Sequence, residues 1–219
     1  MRDVLLVVLG VTAGATDATA LERLGRAFAS VVTGNLVLVG IGGIRREGSL
    51  ALFPGCAVLG YVLGVLVAFR LRRQDRGKQQ IWPAAASVAL ASGGVLLLAF
   101  AIGWEATGGR PGHAMQLVLA LIVAVAMGIQ SEAVRRLGPF STTYLTGTLT
   151  GLLESVASRK WSIDQCRGLG IIIAVVAGAA TATLLIDHTP AYLPLVPLVP
   201  LVIVLIGSRR IIAAEKHRR

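Results

Sequence analysis

The sequence predicts an all-α bundle of membrane-spanning helices, and two observations lead to this fold class. First, 55% of the 219 residues are hydrophobic and only 15% are charged, whereas a soluble domain carries about 25% charged residues. Second, apolar stretches follow one another along the whole chain, several of them close to the roughly 20 residues that a helix needs to cross a bilayer. Because so few charges cannot cover a water-facing surface, we expect one integral membrane domain over residues 1–219.

Eight apolar stretches are candidates for these helices, and some are marginal in length. They run at about 4–20, 27–44, 51–69, 82–103, 114–131, 140–157, 168–187 and 192–207. The first stretch has some features of a signal peptide. Its charged end is weak because Asp3 offsets Arg2, so we favour a first transmembrane helix. A basic tail, 208–219, follows the last stretch.

A short motif occurs twice in the chain with the same internal spacing. Arg23-Leu24-Gly25 is followed after seven residues by Thr33-Gly34-Asn35-Leu36, and Arg136-Leu137-Gly138 is followed after seven residues by Thr146-Gly147-Thr148-Leu149. Each residue of the second copy lies 113 positions after its counterpart in the first. Leu and Gly matches come easily in such a chain, so the argument rests on the shared spacing, the Arg and the Thr. We therefore predict two internal repeats, at about 4–103 and 114–207.

The two segments that carry the Thr-Gly motifs, 27–44 and 140–157, are unusual for spanning helices. The second is rich in hydroxyl side chains and contains Glu154. Gly34 and Gly147 would loosen each helix near its middle. We therefore expect broken or re-entrant helices, which survive at membrane depth only where the backbone is buried in protein or lines a wet cavity.

Charged loops decide how many of the eight stretches cross. The run from Arg70 to Lys78 and the tail from Arg209 to Arg219 each carry a net charge of +4, and basic loops face the cytoplasm. Eight crossings place these two regions on opposite sides. Six full crossings, with both Thr-Gly segments re-entrant, place them together, with the carboxyl terminus in the cytoplasm. Three crossings then separate the two repeats, so the repeats would be inverted.

Two alternatives to six crossings stay open at this point. A version in which 27–44 spans and 140–157 does not also satisfies the charges, although it spoils the repeat symmetry. Hydropathy alone prefers eight crossings. Arg45-Arg46 also argues against six crossings, because this pair would then face outside.

Charge and motif content exclude several classes of function. The net charge of +10 is explained by cytoplasmic loops, so we expect no nucleic-acid partner. The three histidines lie in loops or the tail, and the two cysteines lie far apart without metal-ligand spacing. No nucleophile and base can be paired, and no glycine loop precedes a Lys-Ser or Lys-Thr. We therefore expect no enzyme activity, no metal and no cofactor.

Both halves of the chain resemble a known family. Gly14-Ala15-Thr16-Asp17-Ala18, Leu24-Gly25-Arg26-Ala27-Phe28 and Thr33-Gly34-Asn35 are similar to the opening of the DUF1275 family, also called the YoaK family. Met127-Gly128-Ile129-Gln130 and the stretch from Thr142 to Gly151 agree in the second half. The chain departs from the family pattern at Thr16, where the family usually has an aliphatic residue, and at Ser131-Glu132, where Asn-Ala is commoner. The resemblance implies a multi-pass protein of the bacterial inner membrane and brings no established substrate.

Polar side chains at corresponding places in the two copies are candidate solute-binding or ion-binding residues. Asp17 stands out because an acid inside an apolar helix costs about 2.5–3.5 kcal/mol on insertion scales. Its other interpretation is an ion pair with Arg23 or Arg26 at the membrane edge. The 113-residue offset pairs Asp17 with Gln130. The full candidate set is Asp17, Thr33, Gly34, Asn35, Gln130, Thr146, Gly147 and Thr148.

Two functions of different kinds account for these residues. The first is a small-solute transporter or channel in which Asp17, Asn35, Gln130 and Thr146 line a polar centre between the repeats. The second is a non-catalytic accessory or scaffold membrane protein, in which the Thr-Gly motifs only pack helices. The lipid bilayer is a partner in both cases, and an unknown small solute in the first. A homo-oligomer is also expected, because a chain this small often needs a second copy to enclose a pathway.

Overall fold

Helices make up almost all of the chain in the computed structural model, which describes residues 2–71, 81–137, 145–159 and 162–217. They are α1 (Arg2–Arg23), α2 (Val32–Arg45), α3 (Gly48–Leu71), α4 (Ala84–Ala106), α5 (His113–Arg135), α6 (Leu145–Ala157), α7 (Ile163–His188) and α8 (Leu195–His217), with a 3₁₀ turn at Pro190–Tyr192. The described residues contain no β-strand, so the all-α class is confirmed. Several predicted features lie outside these residues: the basic run at 72–78, the start of the second Thr-Gly segment at 138–144, Lys160 and the last two residues of the tail.

Six of the helices are long and apolar enough to cross a membrane. They are α1, α3, α4, α5, α7, and α8 together with its 3₁₀ turn. The other two are short, since α2 has 14 residues and α6 has 13. Each is therefore about 20 Å long, against a hydrocarbon core of about 30 Å. The prediction of six helices able to cross a membrane is confirmed in length and composition, and α2 is a shorter apolar helix.

Contacts between helix ends define two ends of the bundle. At one end, which we call the termini end, Arg2 and Asp3 at the start of α1 line one cleft together with Glu215 in the last turn of α8. At the opposite end, which we call the far end, Trp104 near the end of α4 donates to the carbonyl oxygen of Pro190 at 2.8 Å. Consequently α1, α4 and α7 run from the termini end to the far end, and α3, α5 and α8 run back.

The helices α1 and α7 cross in close contact through two glycines. A Cβ atom added to Gly14 would collide with the carbonyl oxygen of Val175, and one added to Gly178 would collide with the carbonyl oxygen of Val11. The two backbones therefore touch directly, which no residue larger than glycine permits here. Small residues at such crossings are the usual way in which membrane helices approach closely.

The helices α3 and α5 cross in the same manner. A Cβ atom added to Gly64 would collide with the carbonyl oxygen of Val125, and one added to Gly128 would collide with that of Tyr61. Each of these four residues lies 114 positions from its counterpart in the crossing of α1 and α7. Because α3 and α5 run opposite to α1 and α7, the two crossings point in opposite directions.

After α1 the chain turns back into the bundle before α2 begins. Ser30 reaches Asp17, which lies six residues before the end of α1 and so about 9 Å inside it. From there α2 packs along α3 and leads back to the far end, where Phe53 of α3 packs against Gly25. The segment thus enters and leaves at one end of the bundle, as a re-entrant element does.

The short helix α6 lies at the termini end. It packs against α7, and Gln165 near the start of α7 donates to the Ser155 hydroxyl at 2.7 Å. The start of α7 lies at the termini end because Arg167 pairs with Asp3 of α1 at 2.8 Å. The two short helices therefore lie at opposite ends of the bundle.

Gly34 does not break its helix, because it is the third residue of α2. A first helical turn has backbone N–H groups without intrahelical partners in any case, so glycine is tolerated there at little cost. The expectation of a helix loosened near its middle was therefore wrong for the first Thr-Gly segment. For the second, the residues before Leu145 lie outside the described part of the chain, and Gly147 lies in helical structure.

Candidate functional site

Asp17 anchors the chain segment that leads from α1 to α2. Its Oδ1 atom accepts a hydrogen bond from the backbone N–H of Ser30 at 2.7 Å, and its Oδ2 atom accepts one from the Ser30 hydroxyl at 2.6 Å. Among the described residues, no ion pair joins Asp17 to Arg23 or Arg26. The carboxylate therefore acts here by holding a buried chain reversal in place.

Asn35 holds the same segment from the side of α2. Its side chain is 1% exposed. Its Nδ2 atom donates to the carbonyl oxygen of Phe28 at 2.7 Å, and its Oδ1 atom accepts from the backbone N–H of Phe28 at 2.8 Å. One amide thus satisfies both backbone groups of a residue outside any helix, which is what an irregular segment needs at membrane depth. We call Asp17, Phe28, Ser30 and Asn35 the re-entrant latch.

The other two residues of the first Thr-Gly motif do not join the latch hydrogen bonds. The side chain of Thr33 is exposed, so it faces away from the bundle interior. Gly34 packs against the Phe28 ring and Val31, where an added Cβ would lie 3.4 Å from each. In this conformation the motif contributes one hydrogen-bonding side chain, Asn35, and one tight backbone position.

Gln130 lies in a different part of the bundle. It is 2% exposed, and its Nε2 atom donates to the carbonyl oxygen of Leu9 in α1 at 3.1 Å. A void of about 10 Å³ lies beside it, bounded by α4, α5 and α8, which is room for about one water molecule. Leu9 precedes Asp17 by eight residues, or about 12 Å along α1. Gln130 and Asp17 therefore do not meet.

The packing of the helices assigns Asp17 and Gln130 to other counterparts than the spacing of the motifs does. The glycine crossings match at an offset of 114, which places Gln130 opposite Thr16 and Asp17 opposite Ser131. The motif offset is 113 because the first copy has one more residue between its crossing glycine and its Arg-Leu-Gly turn. Thr16 donates to the carbonyl oxygen of its own helix at Thr12, at 2.9 Å.

The second Thr-Gly motif lies far from the latch. Thr146 and Gly147 are exposed, and the Thr148 methyl packs over Gly168 near the start of α7. This contact is at the termini end, whereas the latch is nearer the far end. The side chains predicted to line one polar centre thus lie in three separate places in this conformation.

Glu132 is a buried acid with two cationic partners. It is 2% exposed and pairs with Arg135 at 2.8 Å and Arg136 at 3.4 Å. Arg136 also donates to the carbonyl oxygen of Ala68 in α3 at 2.6 Å. The acid therefore compensates the arginines where α5 ends, and it ties α5 to α3 through Arg136.

The described core is fully satisfied in hydrogen bonding. Every buried side-chain nitrogen or oxygen atom of the described residues has a partner. No group of three His, Cys, Asp or Glu side chains in these parts of the chain is placed to hold a metal ion. The contacts that sequence reasoning missed are those of Ser30, Phe28 and Leu9, of which the last two are made through backbone atoms.

Comparisons with known proteins agree on one family. The model of the family described as "Protein of unknown function (DUF1275)" matches residues 5–207. The UPF0700 transmembrane protein YoaK of Bacillus subtilis (strain 168) is 33% identical over 167 residues, which are 75% of this chain and 71% of that protein. No solved structure matches the chain. With six helices able to span a bilayer, the chain belongs to the YoaK/DUF1275 family of membrane proteins.

Proposed function

We propose that this protein moves a small solute across the membrane, as a transporter or channel built from two inverted repeats. The observation that carries the proposal is the pair of glycine crossings, which match at 114 positions and point in opposite directions. Inverted repeats with interrupted or short helices are a recurring transporter design. The short helices α2 and α6 fit this design, because they lie at opposite ends of the bundle.

The remaining helix contacts also support a relation between the first half of the chain, α1 to α4, and the second half, α5 to α8. α1 packs on α7 and α8, as α5 packs on α3 and α4. α2 packs on α3, as α6 packs on α7. If α1, α2, α3 and α4 are exchanged with α5, α6, α7 and α8 in that order, every one of these helix contacts is matched by another. This correspondence supports repeats at about 4–103 and 114–207.

The proposed pathway is closed in this conformation. The void beside Gln130 has a volume of about 10 Å³, so no solute larger than water fits there. Transport would require one repeat to rock against the other, as in alternating access. The glycine crossings suit such a motion, since smooth backbone contacts carry no interlocked side chains.

The distribution of basic residues supports an orientation with the termini end in the cytoplasm. Of the arginines and lysines among the described residues, nine lie at the termini end and five at the far end. Basic residues favour the cytoplasmic side. The proposed location is the inner membrane of a bacterium, with both ends of the described chain in the cytoplasm.

A second function, a non-catalytic accessory or scaffold protein, is favoured by a different observation. The most buried candidate side chains already have partners within the chain: Asp17 with Ser30, Asn35 with Phe28, and Gln130 with Leu9. In that function these residues hold helices together and bind no solute. Neither function involves catalysis.

Access to the void from the two sides of the membrane tests the transporter proposal. Met127 lines the void and is 1% exposed. We would introduce Met127→Cys after replacing Cys56 and Cys166 by serine. The protein would then be treated with a membrane-impermeant maleimide, in whole cells and in inverted membrane vesicles. A transporter that opens alternately predicts slow modification of Met127→Cys from both sides.

A matched control is Ala182→Cys in the same background, since Ala182 is 0% exposed and does not line the void. It should stay unmodified from either side. Protection of Met127→Cys from both sides, with a labelled surface cysteine as positive control, would remove the transporter proposal and favour the scaffold.

A further inference from the structure

A cleft at the far end of the bundle is lined by three arginines. The turn after α1 and the turn between α4 and α5 enclose about 340 Å³. Arg23, Arg26 and Arg110 line this cleft, against one acid, Glu22. The Glu22 carboxylate accepts a hydrogen bond from Thr183 of α7 at 2.5 Å. Among the described residues, no ion pair joins it to the arginines, and three arginines against one acid leave the lining with a net positive charge.

The arginines have few partners in the protein itself. Arg23 donates to the carbonyl oxygen of Ile186 at 3.4 Å. Arg26 and Arg110 form no side-chain hydrogen bond or ion pair with any described residue. Guanidinium groups gathered in one concave place, without a carboxylate to receive their hydrogen bonds, are the arrangement that binds an external oxyanion.

The two Arg-Leu-Gly motifs differ in whether their arginine has an acidic partner. Arg136, the counterpart of Arg23, pairs with the buried Glu132. The position corresponding to Glu132 in the first copy is Thr19 at the offset of 113 and Ala18 at the offset of 114, and neither carries a charge. Thus Arg136 has a buried acidic partner in α5, and Arg23 lacks the counterpart of that partner.

The first wall of the cleft is held in a fixed shape. Arg26 has a φ of 61°, a left-handed conformation that is uncommon for a residue with a side chain. Beside it, Leu24 is 0% exposed and Gly25, with a φ of 84°, packs against Phe53. The buried Leu24 and the contact of Gly25 with Phe53 therefore hold Arg26 in its strained backbone conformation. Strain retained in this way often marks a binding site.

The opposite wall is anchored by an aromatic side chain. Trp104 is 0% exposed, and its indole N–H donates to the carbonyl oxygen of Pro190. Gly109 lies against this ring with a φ of 72°, and the backbone N–H of Arg110 donates to Thr107 at 3.2 Å. Both walls are thus preorganised, which lowers the entropy cost of binding a ligand between them.

We propose that this cleft binds a phosphate group, carried by the headgroup of an anionic lipid or by a free phosphate compound. Each guanidinium can donate two parallel hydrogen bonds to an oxyanion. Three guanidinium groups together offer more donors than the two oxygens of one carboxylate can receive, whereas a phosphate has oxygens on several sides. The cleft also lies where α1 ends, which is near the depth of lipid phosphates for a spanning helix. The proposal does not depend on transport.

The test uses the full-length protein purified in detergent and two sources of phosphate. In one arm, thermal unfolding is followed by tryptophan fluorescence in sodium phosphate and in sodium chloride at equal ionic strength. In the other arm, the protein is placed in nanodiscs of phosphatidylcholine with or without phosphatidylglycerol. A raised midpoint in the first arm supports a free phosphate compound, and one in the second arm alone supports a lipid headgroup.

The variants are Arg26→Gln with Arg110→Gln, compared with Arg45→Gln with Arg46→Gln. All four arginines are exposed and lie at the far end, but only the first two line the cleft. We expect the cleft variant to lose at least about tenfold in apparent affinity for phosphate, about 1.4 kcal/mol, while the control pair keeps the wild-type affinity. Absence of stabilisation of the wild type in both arms, or equal losses in the two variants, would overturn the proposal.

Discussion

The side-chain amide of Asn35 forms the hydrogen bonds that the backbone of Phe28 cannot form within a helix. Phe28 lies between two helices, where no helical hydrogen bond is available to its backbone groups. Its N–H donates to the Asn35 Oδ1 atom instead, and its carbonyl oxygen accepts from the Asn35 Nδ2 atom. Groups of this kind cost free energy when they are buried without a partner. The structural and functional interpretations of Asn35 therefore make different predictions about stability.

Replacing Asn35 by alanine should destabilise the protein. Asn35→Ala removes both partners of Phe28, and a buried group left without a hydrogen bond costs about 1–3 kcal/mol. We expect a loss of about 2 kcal/mol or more in the free energy of unfolding, measured by SDS titration in mixed micelles. Thr33→Ala, on the exposed side of the same helix, should change stability by less than about 0.5 kcal/mol. Equal effects of the two substitutions would contradict the latch.

Asp17 and Ser30 should be energetically coupled. We would measure Asp17→Ala, Ser30→Ala and the double variant in the same unfolding assay. Ser30→Ala removes the hydroxyl hydrogen bond to the carboxylate and keeps the backbone one, so we expect a coupling energy of about 1–3 kcal/mol from the hydroxyl contact. Pairing Asp17→Ala with Ser92→Ala gives a control, since Ser92 bonds to its own helix at Ala89. Additive effects within about 0.5 kcal/mol for Asp17 and Ser30 would show that the contact contributes nothing.

The sequence identified Asp17 and Asn35 but not their partners, for a physical reason. A carboxylate or amide in an apolar segment must be engaged, and this is visible from composition alone. Phe28 engages Asn35 through backbone groups alone. Ser30 engages Asp17 partly through its backbone N–H. Every residue type except proline carries these groups. Only the three-dimensional course of residues 24–31 brings those groups into reach.

At the scale of elements, the close helix crossings depend on glycine at four positions. In Gly14→Ala the new methyl would meet the Val175 carbonyl oxygen, and in Gly128→Ala it would meet that of Tyr61. Separating the helices to accommodate it should cost about 1–3 kcal/mol each. Thermal unfolding midpoints of the detergent-solubilised variants would show the loss.

Gly40 provides the control for these substitutions. It lies in α2 with nothing within 4 Å of an added Cβ. Gly40→Ala should therefore stabilise the helix by about 0.5–1 kcal/mol, since alanine loses less backbone freedom. Stability unchanged in Gly14→Ala and Gly128→Ala would mean that the crossings are looser than described here.

The number of long helices was predictable from the sequence, whereas helix pairing was not. Apolar length alone favoured eight crossings, and the positions of the basic loops separated the six long helices from α2 and α6. The motif spacing of 113 suggested that Asp17 faces Gln130, but packing follows an offset of 114. One extra residue in a helix rotates every later side chain by about 100°, so small errors in alignment misplace a site.

At the scale of the whole molecule, the two halves are related in their contacts but not in their charges. The cleft at the far end has three arginines against one acid, Glu22, whereas Arg136 at the termini end pairs with the buried Glu132. The related contacts carry the proposed transport, and the difference in charge carries the proposed phosphate cleft.

The most direct test of the inverted arrangement is the side of the membrane on which four residues lie. We would introduce Arg26→Cys, Glu47→Cys, Gly112→Cys and Arg159→Cys singly in the cysteine-free background, and label each with an impermeant maleimide in cells and in inverted vesicles. All four residues are exposed and lie outside the long helices. Residues 26 and 47 flank α2, and residues 112 and 159 flank α5 and α6. We expect residues 26, 47 and 112 to label from outside and residue 159 from inside. Labelling of residues 26 and 47 from different sides would contradict the account, since α2 would then cross the membrane, and labelling of residues 112 and 159 from the same side would mean that α6 crosses.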